Sequence, residues 1–267
     1  MTHEVVQVED VGSVRRLTLN RPEKLNALDA ELVEALSGAL SEAAAVPEVR
    51  VVVIAGAGRS FCAGYDLSED SGQGDPAIGL RHSLDRLLEI FDHPKPVIAQ
   101  VHGHCLAGGC DLMMMCDLAI ASEDATFGQP EIRFGSTVVA HVMPWLIGAR
   151  RAKELIFTGE DKLTATEAER LGLVNRVVPR DRLGEATMRL AGQLAVVDPM
   201  TMTLTKAAIN RSWEAAGFRR ALVEGMELGA EIEAARVPER EEFERIAAEE
   251  GLKAAIRWRD QRFRNGD

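Results

Sequence analysis

The stretch Gly103-His104-Cys105-Leu106-Ala107-Gly108-Gly109-Cys110-Asp111 carries residue types suited to chemistry. It follows an apolar, strand-like run from Pro96 to Val101 and leads into a helix-like run from Leu112 to Met115. Glycine at a strand-to-helix turn permits backbone conformations and close approaches that a side chain would block. The first amides of a helix have no partner within it, and the positive end of the helix dipole stands behind them. Such a turn can bind a phosphate or stabilise negative charge developing on a carbonyl oxygen. Asp111 sits one turn in from those amides, where the dipole is expected to favour its charged form; the plainer reading is a local cap on free helix amides. A second glycine turn, Gly56-Ala57-Gly58-Arg59-Ser60, ends the run Arg50 to Ala55 and continues as Phe61-Cys62-Ala63-Gly64-Tyr65-Asp66-Leu67. An outward amide from Tyr65 would pair with one from the first turn to make an oxyanion hole for a thioester or acyl group. Either turn alone has the bland reading of a chain reversal.

The elements that must position these turns are partly legible. Glu4 to Glu9 and Val14 to Asn20 predict a two-stranded start. Asp29 is placed to cap a helix running through Ala45, with Leu32, Val33, Leu36 and Leu40 at helical spacing. The β-branched run from Arg50 to Ala55 predicts a fully buried strand. Ser68 to Gly79 is polar and Gly-rich and reads as a mobile loop beside a cleft, followed by a helix from Leu80 to Phe91 that His93-Pro94 ends. Strands at 96–101 and 117–121 flank the helix that starts at Gly108. Recurrent strand–strand–helix units of this kind predict a right-handed stack of turns. From Pro199 onward the pattern is helical and strand-free, with breaks at Pro199, Gly217 and Pro238 and apolar residues interleaved with charge from Glu227 to Asp260. These read as amphipathic helices with a partner surface to cover.

Composition narrows the class of function. The chain has 267 residues, 46% of them hydrophobic, enough to bury one large core. A formal charge of −11 excludes general nucleic-acid binding but not a local site for an anion. The start Met1-Thr2-His3-Glu4 has no basic-then-apolar signal pattern, and no apolar run reaches membrane-spanning length, so a cytoplasmic protein without membrane partners is expected. The cysteines Cys62, Cys105, Cys110 and Cys116 lack CxxC spacing and read as buried small thiols. No metal site is expected. His102 and His104 flank Gly103 and read as packing or backbone-bonding residues.

Four motifs in order resemble the enoyl-CoA hydratase/isomerase (crotonase) family. They are Arg21-Pro22-Glu23-Lys24-Leu25-Asn26-Ala27-Leu28, Ser60 to Leu67, Ala107-Gly108-Gly109-Cys110-Asp111-Leu112, and Phe127-Gly128-Gln129-Pro130-Glu131. Later pieces, Ile147 to Ala152, Thr164 to Ala168 and Gly172 to Val178, extend the match over nearly the whole chain. The resemblance implies an α/β fold, a crotonase-like spiral of repeated ββα units, with a core over residues 1–198 and a C-terminal helical trimerisation region over 199–267. It implies a homotrimer or dimer of trimers, with no permanently bound cofactor and coenzyme A entering as part of the thioester substrate. The oxyanion-hole amides would be those of Tyr65 and Gly108. Lys24, Leu25, Ala27, Ala63, Asp66, Leu67 and Ser68 would line the CoA path, with Phe263 closing it from the same or a neighbouring subunit. Glu131 matches the family's second catalytic glutamate, and an apolar wall would raise its proton affinity.

Two departures qualify the reaction. Hydratases of the family usually carry glutamate where this chain has Asp111, one methylene shorter, which matters to a positioned water. Dienoyl-CoA isomerases share an aspartate there but add another eight residues past the glutamate, where this chain has Val139. The loop Gly135 to Pro144 is also shorter and more apolar than the Gly-rich stretch typical of hydratases. The leading expectation is an enoyl-CoA hydratase in which Glu131 and Asp111 hold water. An enoyl-CoA isomerase using Glu131 alone is the alternative; a thioester hydrolase or a non-catalytic acyl-CoA binder comes after both.

Overall fold

The computed structural model describes residues 4–67 and 75–264. Ser68 and most of the loop expected at 68–79 lie outside the described residues. The chain opens with an antiparallel pair, β1 (Val6–Val11) and β2 (Val14–Leu19), followed by α1 (Ala30–Ala45). The Asp29 side chain accepts from Leu32 N at 2.8 Å, the expected cap, and Leu32, Leu36 and Leu40 turn inward. Then come β3 (Val51–Gly56), α2 (Pro76–Asp92), β4 (Val97–Val101), β5 (His104–Leu106) and α3 (Gly108–Met115). Helix α2 starts four residues before the sequence pattern does. Asp75 caps it by accepting from Ala77 N, and Pro76 fills a first-turn position whose amide needs no partner.

The chain continues through β6 (Leu118–Ser122), β7 (Thr126–Gly128), α4 (Met143–Ile147), α5 (Ala149–Thr158), β8 (Leu163–Thr164), α6 (Ala165–Leu171), β9 (Arg176–Val178) and α7 (Leu183–Ala195). Two sheets result, ordered β1-β2-β3-β4-β6-β9 and β5-β7-β8. In two successive spiral turns, β4–β5 and β6–β7, the chain lays one strand in the larger sheet and one in the smaller. β4 passes into β5 at Gly103, whose φ is +56° and where a Cβ would lie 2.1 Å from Arg59 O, so only glycine serves. β6 passes into β7 in the same way, and β3, β4, β6 and β9 align in parallel. The continuous burial of β3 and β4 follows from helices covering both faces of a parallel sheet. In the turn after β3 the small-sheet strand shrinks to two isolated bridges, Leu28–Tyr65 and Cys62–Cys105.

Four helices close the chain: α8 (Pro199–Ala215), α9 (Phe218–Ala235), α10 (Pro238–Glu250) and α11 (Leu252–Arg264). The breaks fall at Pro199, Gly217 and Pro238, as the sequence pattern predicts. Helix α9 packs along α2. Helices α10 and α11 fold back on the short 3-10 turn Glu131–Phe134, where Phe134, Phe243, Ile246 and Ala255 form a separate apolar cluster. No helix among the described residues is long and apolar enough to cross a membrane.

Candidate active site

The bridge between Cys62 and Cys105 sets the site's register. Leu106 N donates to Cys62 O and Cys62 N to His104 O, both at 3.0 Å. Tyr65 and Gly108 each follow three residues after their bridged cysteine, so the parallel pairing carries them to neighbouring positions. Gly64 confirms the approach: a Cβ there would lie 2.6 Å from Ala107 Cβ and 3.4 Å from Gly108 N. Among the described residues neither Tyr65 N nor Gly108 N donates to a backbone carbonyl. Ala107 takes φ +52° and ψ −130°, strained for an alanine, and is held there because its N–H donates to Gly128 O and its carbonyl accepts from Cys110 and Asp111. That geometry turns Gly108 N out of the chain's own hydrogen bonding.

The segment expected to guide CoA lies against this pair of turns. Ala63 N donates to Leu25 O, Leu28 N to Gly64 O, and Asp66 N to Leu28 O. Leu25 and Asn26 both have positive φ, and the Asn26 amide reaches Ala57 O and Ser60 O while accepting from Arg21 N. Lys24 and Leu67 are exposed, and Ala27 is buried. The Asp66 carboxylate turns inward onto Arg21 at 3.0 Å, with Arg21 also 2.7 Å from Asp29. Arg21 and Asn26 therefore clamp residues 21–29 to the glycine turn at 56–66. Both stand in the quoted motif, but nothing in their spacing marks them as clamps.

Asp111 and Glu131 come together beneath α3. Asp111 is wholly buried and caps no helix amide. Its Oδ1 accepts from Gln129 Nε2 at 2.6 Å and its Oδ2 from Ala140 N at 3.3 Å. The expected help of the helix dipole does not prevail. Burial first, and then the Glu131 charge, hold the Asp111 carboxyl well above the usual carboxylate range. Glu131 starts the 3-10 turn after Pro130; burial pushes it up to about 8, against the opposing pull of Arg259 from α11. Glu131 Oε2 is buried and has no hydrogen-bond partner among the described residues. Gln129 is the residue that sequence reasoning passed over: it lies within the quoted motif, and only its contact with Asp111 assigns it a task.

The loop 135–142 reaches Asp111 because α9 lets it lie close. Glu233 accepts from Thr137 N at 3.0 Å, and Gly229 and Gly225 leave room for Thr137 and His141. His141 therefore packs on α9. His102 Nε2 donates to Gly58 O, a backbone partner as expected, whereas the exposed His104 pairs through Nδ1 with the side-chain hydroxyl of Thr126. Cys62, Cys105 and Cys110 are buried free thiols; Cys116 is half-buried. Phe263, 44% exposed, stacks under the Arg133 guanidinium at 5.2 Å, beside the Glu131 turn.

A model of the family described as enoyl-CoA hydratase/isomerase matches residues 9–242. The chain belongs to that family. It is 41% identical over 223 residues to a probable enoyl-CoA hydratase of Rhizobium meliloti, covering 80% of this chain and 84% of that one. It is 38% identical over 217 residues to a short-chain-enoyl-CoA hydratase of Clostridium acetobutylicum, covering 78% and 82%. The crystal structure of an enoyl-CoA hydratase/isomerase from Xanthobacter autotrophicus Py2 superposes with a TM-score of 0.95 at 41% identity, covering 98% of this chain and 99% of that one. The fold is thus the crotonase spiral, and the chain is an enzyme of the crotonase superfamily.

Proposed function

We propose that this enzyme adds water across the double bond of 2-enoyl-CoA thioesters. The observation that carries the reading is a buried carboxyl pair, Asp111 and Glu131, beside two backbone amides that have no carbonyl partner among the described residues. The thioester oxygen sits between Tyr65 N and Gly108 N, which stabilise the enolate without reorganising; losing one such donor costs on the order of 100- to 1,000-fold in rate. The carboxyls hold a water. Its oxygen bonds to the β carbon as the carbon–carbon π bond breaks, and Glu131 delivers a proton to the α carbon. The proton that the water releases restores the acid on the carboxyl pair. A Glu131 pushed up to about 8 is neutral at physiological pH and suits that delivery.

The CoA part of the substrate runs along Lys24, Leu25, Ala27, Ala63, Asp66 and Leu67, and on to Ser68 outside the described residues. Phe263, of this or a neighbouring subunit, closes that path. Residues 1–198 form the catalytic core, and 199–267 assemble three copies or a dimer of trimers. Exposed apolar side chains support that assembly: Met200, Leu204 and Ile209 on α8 and Leu228 on α9 are each at least 60% exposed.

One observation favours the isomerase as a second reading. Both Asp111 oxygens already accept intramolecular hydrogen bonds, while Glu131 Oε2 has no partner among the described residues, and one carboxyl with an open oxygen suffices to move a proton between carbons. Ultraviolet absorbance of a conjugated 2-enoyl-CoA panel decides between them, with the wild type and Glu131→Gln side by side. Loss of conjugation with the wild type alone, and a 3-hydroxyacyl product by mass, supports hydration. Untouched 2-enoyl substrates with a gain of absorbance from 3-enoyl-CoA make the protein an isomerase instead.

A further inference from the structure

The Tyr65 ring stands between the oxyanion amides and an apolar space on the α1–α2 side of the site. A Cβ built on Gly108 would lie 2.4 Å from Tyr65 Cε2, so the ring packs across the start of α3. Ser83, on α2, shares a cavity wall with the ring. Beyond the ring lies a cavity of about 20 Å³, with Leu36, Leu40, Leu87, Ile90 and Leu112 in its wall besides Tyr65 and Ser83. A space of that size holds about one water or one methyl group. Leu112 directly follows Asp111, so the apolar wall begins where the reacting carbons of a bound thioester end. On the opposite side, Val138, Val139 and Ala140 are buried and the Ala140 amide is occupied by Asp111.

We infer that the Tyr65 ring sets the length of acyl chain that the site accepts: short chains stop at the ring, and longer ones need the space it fills. The inference rests on the CoA-thioester reading above. It uses the side chain of Tyr65 and leaves the backbone amide to its own task. Removing the ring joins its volume to the cavity behind it, and each methylene then buried adds about fourfold in affinity.

Isothermal titration of butyryl-CoA and decanoyl-CoA into the full-length protein tests this without depending on turnover. The affinity ratio of decanoyl-CoA to butyryl-CoA is expected to rise at least about tenfold in Tyr65→Ala. Tyr65→Leu reads the same ratio if the alanine variant does not fold. An unchanged ratio in the Tyr65 variants, with Val139→Ala shifting it instead, sends the acyl tail to the other wall and overturns the inference alone. Absence of binding of either acyl-CoA to the wild type overturns it together with the thioester reading.

Discussion

The edge of the Tyr65 ring lies over the α carbon of Gly108, close enough that a Cβ there would meet Cε2 at 2.4 Å. The two residues are thus joined twice, by neighbouring backbone amides and by a ring that tolerates only glycine beneath it. The parallel bridge of Cys62 to Cys105 brings both about.

Gly108→Ala must displace the Tyr65 ring or the first turn of α3, and either movement disturbs the amide pair. Hydration of crotonyl-CoA is expected to fall on the order of 100- to 1,000-fold in kcat. Circular dichroism should stay that of the folded wild type. An unaltered kcat would remove Gly108 from the oxyanion hole.

Gln129→Leu takes a donor from a wholly buried carboxyl, since Gln129 Nε2 contacts Asp111 Oδ1 at 2.6 Å. The lost partner is expected to destabilise the fold by about 1–3 kcal/mol in urea denaturation. A misplaced Asp111 should also lower hydration by about 100-fold. Isomerisation by Glu131 alone would be spared, so the ratio of the two activities reports whether Asp111 holds the water.

The pH dependence of kcat/KM separates acid from base. Glu131 is pushed up to about 8 by burial. Donation to the α carbon needs the neutral acid, so hydration should decline as pH rises through about 8. An isomerase that begins with proton abstraction needs the carboxylate and should instead gain activity over the same range.

Stability carries the same signature with a definite sign. The native Glu131 keeps a proton up to about 8 that the unfolded chain releases above 4.5. Stability from this group is therefore full below 4.5, falls as pH climbs, and has been lost once pH passes about 8. The loss is on the order of several kcal/mol. Glu131→Gln has no such titration, so its stability relative to the wild type should grow from mildly acidic to mildly alkaline pH. Paired urea melts measure it, and a constant difference would place the carboxyl in water.

Ala107→Gly tests stored strain. The φ of +52° with ψ −130° costs an alanine about 1–3 kcal/mol, and glycine is free of that cost. Glycine's greater freedom in the unfolded chain takes back about 0.4–1 kcal/mol. A net gain in the denaturation midpoint is expected, with a lower kcat because the Gly108 amide is less firmly aimed.

Much of this molecule is local and could be read from residue order. Asp29 caps α1 because its side chain reaches an amide three residues on, and the breaks at Pro199, Gly217 and Pro238 follow from backbone chemistry that any context would respect. The glycine turns at 56–64 and 103–109 and the four ordered motifs identified the family and marked Tyr65, Gly108, Asp111 and Glu131 as candidates. Tertiary structure alone decided how those candidates behave. Asp111 looked like a charged residue at a helix start, yet burial outweighs the dipole because desolvation acts on the whole charge while the helix end offers only a partial one. Gln129, Ala140 and Arg259 acquire their parts from contacts 18, 29 and 128 residues away in the chain. No periodicity encodes such distances, because they arise only when the spiral stacks and α11 folds back over the turn that carries Glu131.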